Sequence, residues 1–444
     1  MRMRLPLSFF IGIATFAGVL AVVPLSAADS DTQKDAGSSS DVAADELREL
    51  ATAGDKKAAF NLANEYFYGT KKRKANPVLA VYWYRKAADA YPEAMFNYGI
   101  CLEQGLGIER DPVEAVKCYK AAAEKNCKPA QYNYALFLKK GISFKNKEEA
   151  AKFTGKTIPP QDSVKAMSML KRLADEKYVP AMVEYAAELI SKHKDISVKT
   201  AEEAFKLAEA AAQSPDAPAR VWRILGDCYF SGIGTIPDGK KMIECLEQAE
   251  KRGSLEAMTR LGYCYENGIN VKEDQKKALA YYRKGAEAGF PAAMLKYGDF
   301  IAQGKVPDMG VNDAIAWFEK SAMGACPEAF YRLGVYALSG IGMEKNTMLS
   351  YQFFYDGAKL GHLHAQYELA KLYLMDKGPV VKDESTAFYW FEKAALQGEP
   401  AAQYQLSVCY SKGIGCKPDT QKAMEWMRQA ALSGNANAIR FLQK

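Results

Sequence analysis

Histidine is almost missing from this chain, with only His193, His362 and His364 among 444 residues. Few neutral nitrogen ligands are therefore on offer, and the i, i+2 spacing of His362 and His364 does not place both rings on one helix face. The histidines read as surface residues. No H-E-x-x-H, G-x-S-x-G or C-x-x-C occurs, and no Ser, His and Asp set is supported by the sequence. No catalytic, metal or cofactor site is expected, and the chain is read as not an enzyme. An excess of one charge is missing too: 59 basic residues stand against 53 acidic ones, well mixed, for a net charge of +6. Without a basic block interleaved with aromatics, nucleic acid is not an expected partner. The densest basic run, Lys71-Lys72-Arg73-Lys74, reads as a solvated loop. Gly234 to Lys241, GTIPDGKK, imitates a phosphate-binding loop but lacks the Ser or Thr after Lys240 and any preceding strand.

The one long apolar run is at the start. Arg2 and Arg4 precede an apolar stretch from Leu5 to Val23, which closes on Pro24 and the small residues Ser26-Ala27-Ala28. This is the layout of a secretory leader, cleaved after Ala28, so residues 1–28 are expected to be removed and no stable membrane span is expected to remain. Export to the periplasm or the extracellular medium follows. Residues 29–40 are rich in Asp, Ser and Gly and read as a flexible linker.

What the chain has in abundance is repetition. From Ala257, steps of 36 residues reach Ala293, Ala329 and Ala365, and the same period links Ala58, Ala94 and Ala130. Numbering from such an anchor, +4 is apolar and +5 is small, as in Leu261-Gly262 and Leu333-Gly334. A missing side chain at +5 lets two helices approach. Gly at +11 closes a short helix A, and Asp or Pro, as in Asp111-Pro112, opens helix B. Helix B carries a small residue at +21 and bulky ones at +24 and +25, such as Tyr281 with Tyr282 and Phe353 with Phe354. A Gly four residues before the next anchor ends it. Helices this short are marginal alone and must bury their stripes against neighbouring repeats. The expected fold is all-α, a right-handed α-solenoid of about ten two-helix repeats with half-repeat caps. Its parts are a capping helix over residues 41–57, repeats 1–4 over 58–220 with an insertion at about 143–160, repeats 5–10 over 221–437, and a terminal capping helix over 438–444.

The unit resembles the Sel1-like repeat family, relatives of the tetratricopeptide repeats. The resemblance rests on Ala365 to Leu369, on the loops Gly340-Ile341-Gly342 and Gly413-Ile414-Gly415, and on Trp83-Tyr84-Arg85-Lys86-Ala87-Ala88. It implies a scaffold that binds a protein or peptide partner on its concave face. By analogy with tetratricopeptide solenoids, helix A lines that face and +2 points to it. The residues there include Phe60, Phe96, Tyr132, Arg223, Tyr331, Tyr367 and Tyr404. Two readings stand: these rings line an open groove, or they pack one helix A on the next. The rival function, a hydrolase acting on cell-wall or β-lactam substrates, would need a nucleophile or paired carboxylates that the sequence does not display.

Nine cysteines in an exported chain leave an odd one over. Cys101 and Cys228 stand at +7, and Cys118 and Cys245 at +24, where an antiparallel hairpin brings the two positions to about the same height. Bridges Cys101–Cys118 and Cys228–Cys245 are predicted; the alternative is that all four are small buried apolar residues.

Overall fold

The structure, a computed structural model, describes residues 40–71, 73–155, 157–158, 160–191 and 196–443. The expected leader, the linker up to residue 39, Lys72 and His193 lie outside them. The described residues form 23 helices and no strand, in two compact units, 40–238 and 239–443.

In the first unit a single helix, α1 (Ser40–Thr52), precedes the pairs α2 (Lys56–Tyr68) with α3 (Pro77–Ala87) and α4 (Pro92–Gln104) with α5 (Pro112–Glu124). Next come α6 (Lys128–Lys140) with α8 (Ser163–Asp175), with the short α7 (Lys147–Lys152) between them, and α9 (Val179–Ser191) with α10 (Val198–Ala212). The unit closes with α11 (Ala219–Ser231). The second unit opens with α12 (Gly239–Lys251), so the fifth repeat contributes one helix to each unit. It continues with α13 (Leu255–Asn267) and α14 (Gln275–Glu287), α15 (Pro291–Ala302) and α16 (Val311–Met323), and α17 (Pro327–Ser339) and α18 (Thr347–Lys359). The last pairs are α19 (Leu363–Tyr373) with α20 (Glu384–Leu396) and α21 (Pro400–Lys412) with α22 (Thr420–Leu432), followed by the single α23 (Ala436–Leu442).

The local signals act where the chain carries them. Asp111 accepts a hydrogen bond from the Glu114 backbone N–H at the start of α5, and Asp274 and Asp419 do the same for α14 and α22. Gly105 closes α4 in the left-handed region at φ 75°, donating its N–H to the Cys101 carbonyl. The small +5 residue has a specific tenant, the +25 ring of its own helix B. A Cβ added at Gly99, Gly262, Gly298 or Gly334 would lie 2.8, 2.7, 2.7 or 2.5 Å from the rings of Tyr119, Tyr282, Phe318 or Phe354. Each of these four hairpins is therefore held by a ring seated in a hole. Where the ring is Tyr its hydroxyl also needs an acceptor, and Tyr119 and Tyr282 each donate to a carboxylate at +9, Glu103 or Glu266, at 2.6 Å.

The insertion is ordered and tied down. Asn146 caps α7, Phe144 stacks on the buried Phe153 at 5.6 Å, and Arg110 from the preceding repeat reaches Glu149 at 2.5 Å and the Ser143 carbonyl at 2.8 Å. Beyond it, Glu184 on α9 is buried between Lys139 of α6 and Arg220 of α11, and so ties three successive A helices together.

Candidate interaction surface

The +2 rings part company between the units. Phe60, Phe96 and Tyr132 are buried, whereas Tyr331, Tyr367 and Tyr404 are half-buried, as is Arg223, which pairs with Asp227 at 3.3 Å. The difference follows from one other register position, the residue three before the next anchor, which is the N-cap of most of the A helices. Phe60 stacks on Tyr91 with ring centroids 6.0 Å apart, and Tyr132 meets Tyr178 at 6.0 Å. Phe96 shares its core cluster with Cys127, as Leu295 does with Cys326. These apolar N-terminal residues complete the burial of the ring before them. Before α19, α21 and α23 the same place holds His362, Glu399 and Asn435, which are polar, and the preceding tyrosine keeps part of its surface exposed. In the first unit the packing reading therefore accounts for the rings at +2, Phe60, Phe96 and Tyr132, while Arg223 stays half-buried against Asp227. An open reading survives only for Tyr331, Tyr367 and Tyr404.

His362 is not the surface histidine expected. It is the N-cap of α19, its Nδ1 accepts the Ala365 backbone N–H at 3.1 Å, and its Nε2 lies 2.6 Å from Glu328 Oε2. An Nδ1 that accepts leaves the proton on Nε2, which donates to the carboxylate. The hydrogen bond from His362, opposed by burial, holds the Glu328 carboxyl below the usual carboxylate range. Arg332 pairs with the other oxygen of Glu328 at 3.0 Å. His364, half-exposed, places Nδ1 2.9 Å from Glu399 Oε2. Tyr331 stacks on His362 at 4.9 Å and lies 5.5 Å from His364. One helix further, Tyr367 carries the Lys371 ammonium 5.3 Å from its ring centroid, and that ammonium also pairs with Glu368 at 2.7 Å.

The result is an aromatic and ionic strip running over α17, α19 and the start of α21. Sequence reasoning found its tyrosines but missed Glu328, Arg332, His364, Glu368 and Lys371. Those residues stand at −1, +3 and +6, which share a helix face with +2, so the 3.6-residue period could have found them.

The cysteines correct the predicted pairing. Cys101 and Cys118 are free thiols in different core clusters: Cys101 packs with Ala80 and Tyr84 one repeat back, and Cys118 with Tyr119, Ala122 and Tyr134. Equal height in the hairpin does not make them face each other. Burial pushes both thiols up to about 12, which keeps them protonated and unreactive. Cys228 and Cys245 are buried, one in each unit, and neither unit alone bears on their pairing.

Among the described residues no group of three or more His, Cys, Asp or Glu side chains could hold a metal ion, and no helix is long and apolar enough to cross a membrane. The chemistry on view is recognition: rings, fixed charges and hydrogen-bonding edges.

Comparison with known proteins agrees with the architecture. The family model described as Sel1 repeat matches nine stretches, 56–91, 92–127, 128–158, 223–254, 255–290, 291–325, 327–362, 363–399 and 400–435. The irregular fourth repeat, with α9 and α10, is not among them. The chitin synthase regulator SKT5 of Saccharomyces cerevisiae is 26% identical over 400 residues, covering 89% of this chain and 40% of that protein. DAP3-binding cell death enhancer 1 of Mus musculus is 30% identical over 197 residues, covering 44% of this chain and 35% of that protein. The chain thus spans less than half the length of these relatives. Among solved structures, a Sel1 repeat protein from Oxalobacter formigenes superposes with a TM-score of 0.51 at 28% identity, over 56% of this chain and 99% of that one. A protective antigen of uropathogenic Escherichia coli with an SLR fold is 27% identical, covers 89% of this chain and 88% of its own, and has a TM-score of 0.49. With the nine matched stretches taking up well over half of its residues, the chain belongs to the Sel1 repeat family.

Proposed function

We propose that this chain is an exported, non-enzymatic scaffold that holds a protein or peptide partner against the A helices of its second unit. The observation that carries the reading is the strip over α17, α19 and α21, where half-buried tyrosines stand beside fixed charges. Binding energy concentrates on such aromatic anchors with a polar surround. Further support comes from the names of two relatives, one a chitin synthase regulator and one a DAP3-binding protein, both of which describe action through another protein. Export rests on the sequence of residues 1–28 and places the partner in the periplasm or outside the cell.

Two measurements test this reading. The protein purified from its native source should begin at Asp29; an intact leader would sink the export claim. Affinity capture from the matching native fraction should recover a partner with the wild-type chain and lose it with Tyr331→Ala combined with Tyr367→Ala, while the melting curve stays close to wild type. Undiminished capture by that variant would remove the strip from the binding surface.

A further inference from the structure

Resting on that reading, we infer that the strip takes a cationic partner, an extended segment that places an arginine or lysine side chain over Tyr331. The neighbouring repeat already holds such a cation of its own. There Lys371, at +6 of α19, lies over the Tyr367 ring at 5.3 Å and against the Glu368 carboxylate at 2.7 Å. It shows what the face accepts: an ammonium between a ring and a carboxylate, where the ring quadrupole and the fixed negative charge act together.

In α17 the same +6 position is Val335, which is apolar and supplies no such cation. Two of the carboxylates near that ring, Glu368 and Glu399, are also those near Tyr367. The carboxylates of Glu368, Glu328 and Glu399 all act on the Tyr331 hydroxyl, with Arg332 opposing them, and Glu368 and Glu399 act on Tyr367 as well. Glu399 is held by the His364 imidazole at 2.9 Å and by no lysine or arginine seen among the described residues. Three carboxylates, Glu328, Glu368 and Glu399, set against two permanent cations, Arg332 and Lys371, leave an excess of one carboxylate beside a half-buried ring. The whole chain carries a net charge of +6, so a basic segment would be drawn by this place and not by the overall field. An arginine suits it best, since its planar guanidinium can lie against the part of the Tyr331 ring that His362 leaves uncovered while its edge donates to a carboxylate. The carboxylates come from three successive A helices, so the segment would cross repeats instead of following one.

The test uses the full chain and two fluorescein-labelled peptides of alternating Gly and Ser, identical except that one carries four arginines and the other four glutamates. Fluorescence anisotropy at neutral pH should show the arginine peptide binding at least about tenfold more tightly than its acidic counterpart. Val335→Lys places an internal ammonium at +6, as Lys371 does one repeat on, and should weaken the arginine peptide by about fivefold or more with unchanged helical content. Glu399→Gln should weaken it in the same direction without disturbing α21, because the Glu399 side chain makes no capping hydrogen bond. Equal binding of the two peptides, no binding of either, or full affinity in Val335→Lys would each overturn the inference. If the native partner is still lost on Tyr331→Ala with Tyr367→Ala while the arginine peptide fails, the scaffold reading stands and only this partner chemistry falls. If the arginine peptide binds as expected but no native partner depends on the tyrosines, the scaffold reading falls.

Discussion

In residues 40–238 the ring at +2 is core; in residues 239–443 the tyrosine at +2 is only half-buried. The repeat is the same and the helix A face is the same, and Phe60 and Tyr331 occupy equivalent places in it. What differs is the residue thirty-one positions later, Tyr91 in one case and His362 in the other. A repeat position therefore has no burial of its own. It acquires one from the next repeat, as nearest-neighbour coupling in a stacked array requires. The first unit has spent its A-helix rings on cohesion, and adds the buried Glu184 with Lys139 and Arg220. The second has kept three tyrosines available.

The sharpest way to break this comparison is to delete the two equivalent rings. Phe60→Ala should cost the first unit about 3–5 kcal/mol, the usual toll for a fully buried Phe. Tyr331→Ala should cost the second unit less, about 1–2 kcal/mol, since that ring packs on Phe354 and His362 but keeps part of its surface in water. Hydrogen exchange on the intact chain reads each unit separately; equal losses of protection would erase the distinction. The hole at +5 supplies the control, because it is occupied in both units. Gly99→Val and Gly334→Val should each destabilise their own unit by about 1–3 kcal/mol, forced against Tyr119 or Phe354. A large difference between those two would mean that the hairpins, and not the contacts between repeats, set the units apart.

A smaller effect sharpens the account of the first unit. Burial raises the Glu184 carboxyl, but the hydrogen bond from Lys139 and the charge of Arg220 outweigh it, and the group ends below the usual carboxylate range. A depressed folded pKa gives stability that is complete above the unfolded value and is lost as the pH falls through the folded one. Glu184→Gln should therefore cost about 1–2 kcal/mol at neutral pH, with the loss shrinking toward zero in acid. A pH-independent penalty would point to packing alone. The smallest effect concerns the thiols. Cys101 and Cys118, raised to about 12 by burial, should react with a thiol reagent only after unfolding, whereas the half-buried Cys416 reacts first. A Cys101–Cys118 bridge in a non-reducing digest would overturn the separation of the two core clusters.

Much of this fold was legible because its causes are local. The period of 36, the Asp that caps helix B, the Gly that ends helix A and the small +5 residue each act within one hairpin, and a linear reading can place them. The candidate site was legible only in part. Tyr331 and Tyr367 were found by register, but so were Phe60 and Phe96, which turned out to be core, and nothing in a single unit distinguishes the two groups. The predicted pairing of Cys101 with Cys118 failed for a related reason. Register fixes the height of a residue along the hairpin, whereas the direction its side chain faces depends on which neighbouring repeat it packs against.

The amino-acid sequence by itself determined a two-helix unit, its repetition and its membership among the Sel1 repeats, because helix starts, stops and stripes are set by residues a few positions apart. Tertiary structure alone decided which rings are open, that His362 caps a helix while donating to Glu328, and that Cys101 and Cys118 stay apart. Each of those outcomes depends on contacts between adjacent repeats, such as Phe60 with Tyr91 or Tyr331 with His362. Burial is a property of such pairs, and it comes into being only when one repeat is laid against the next.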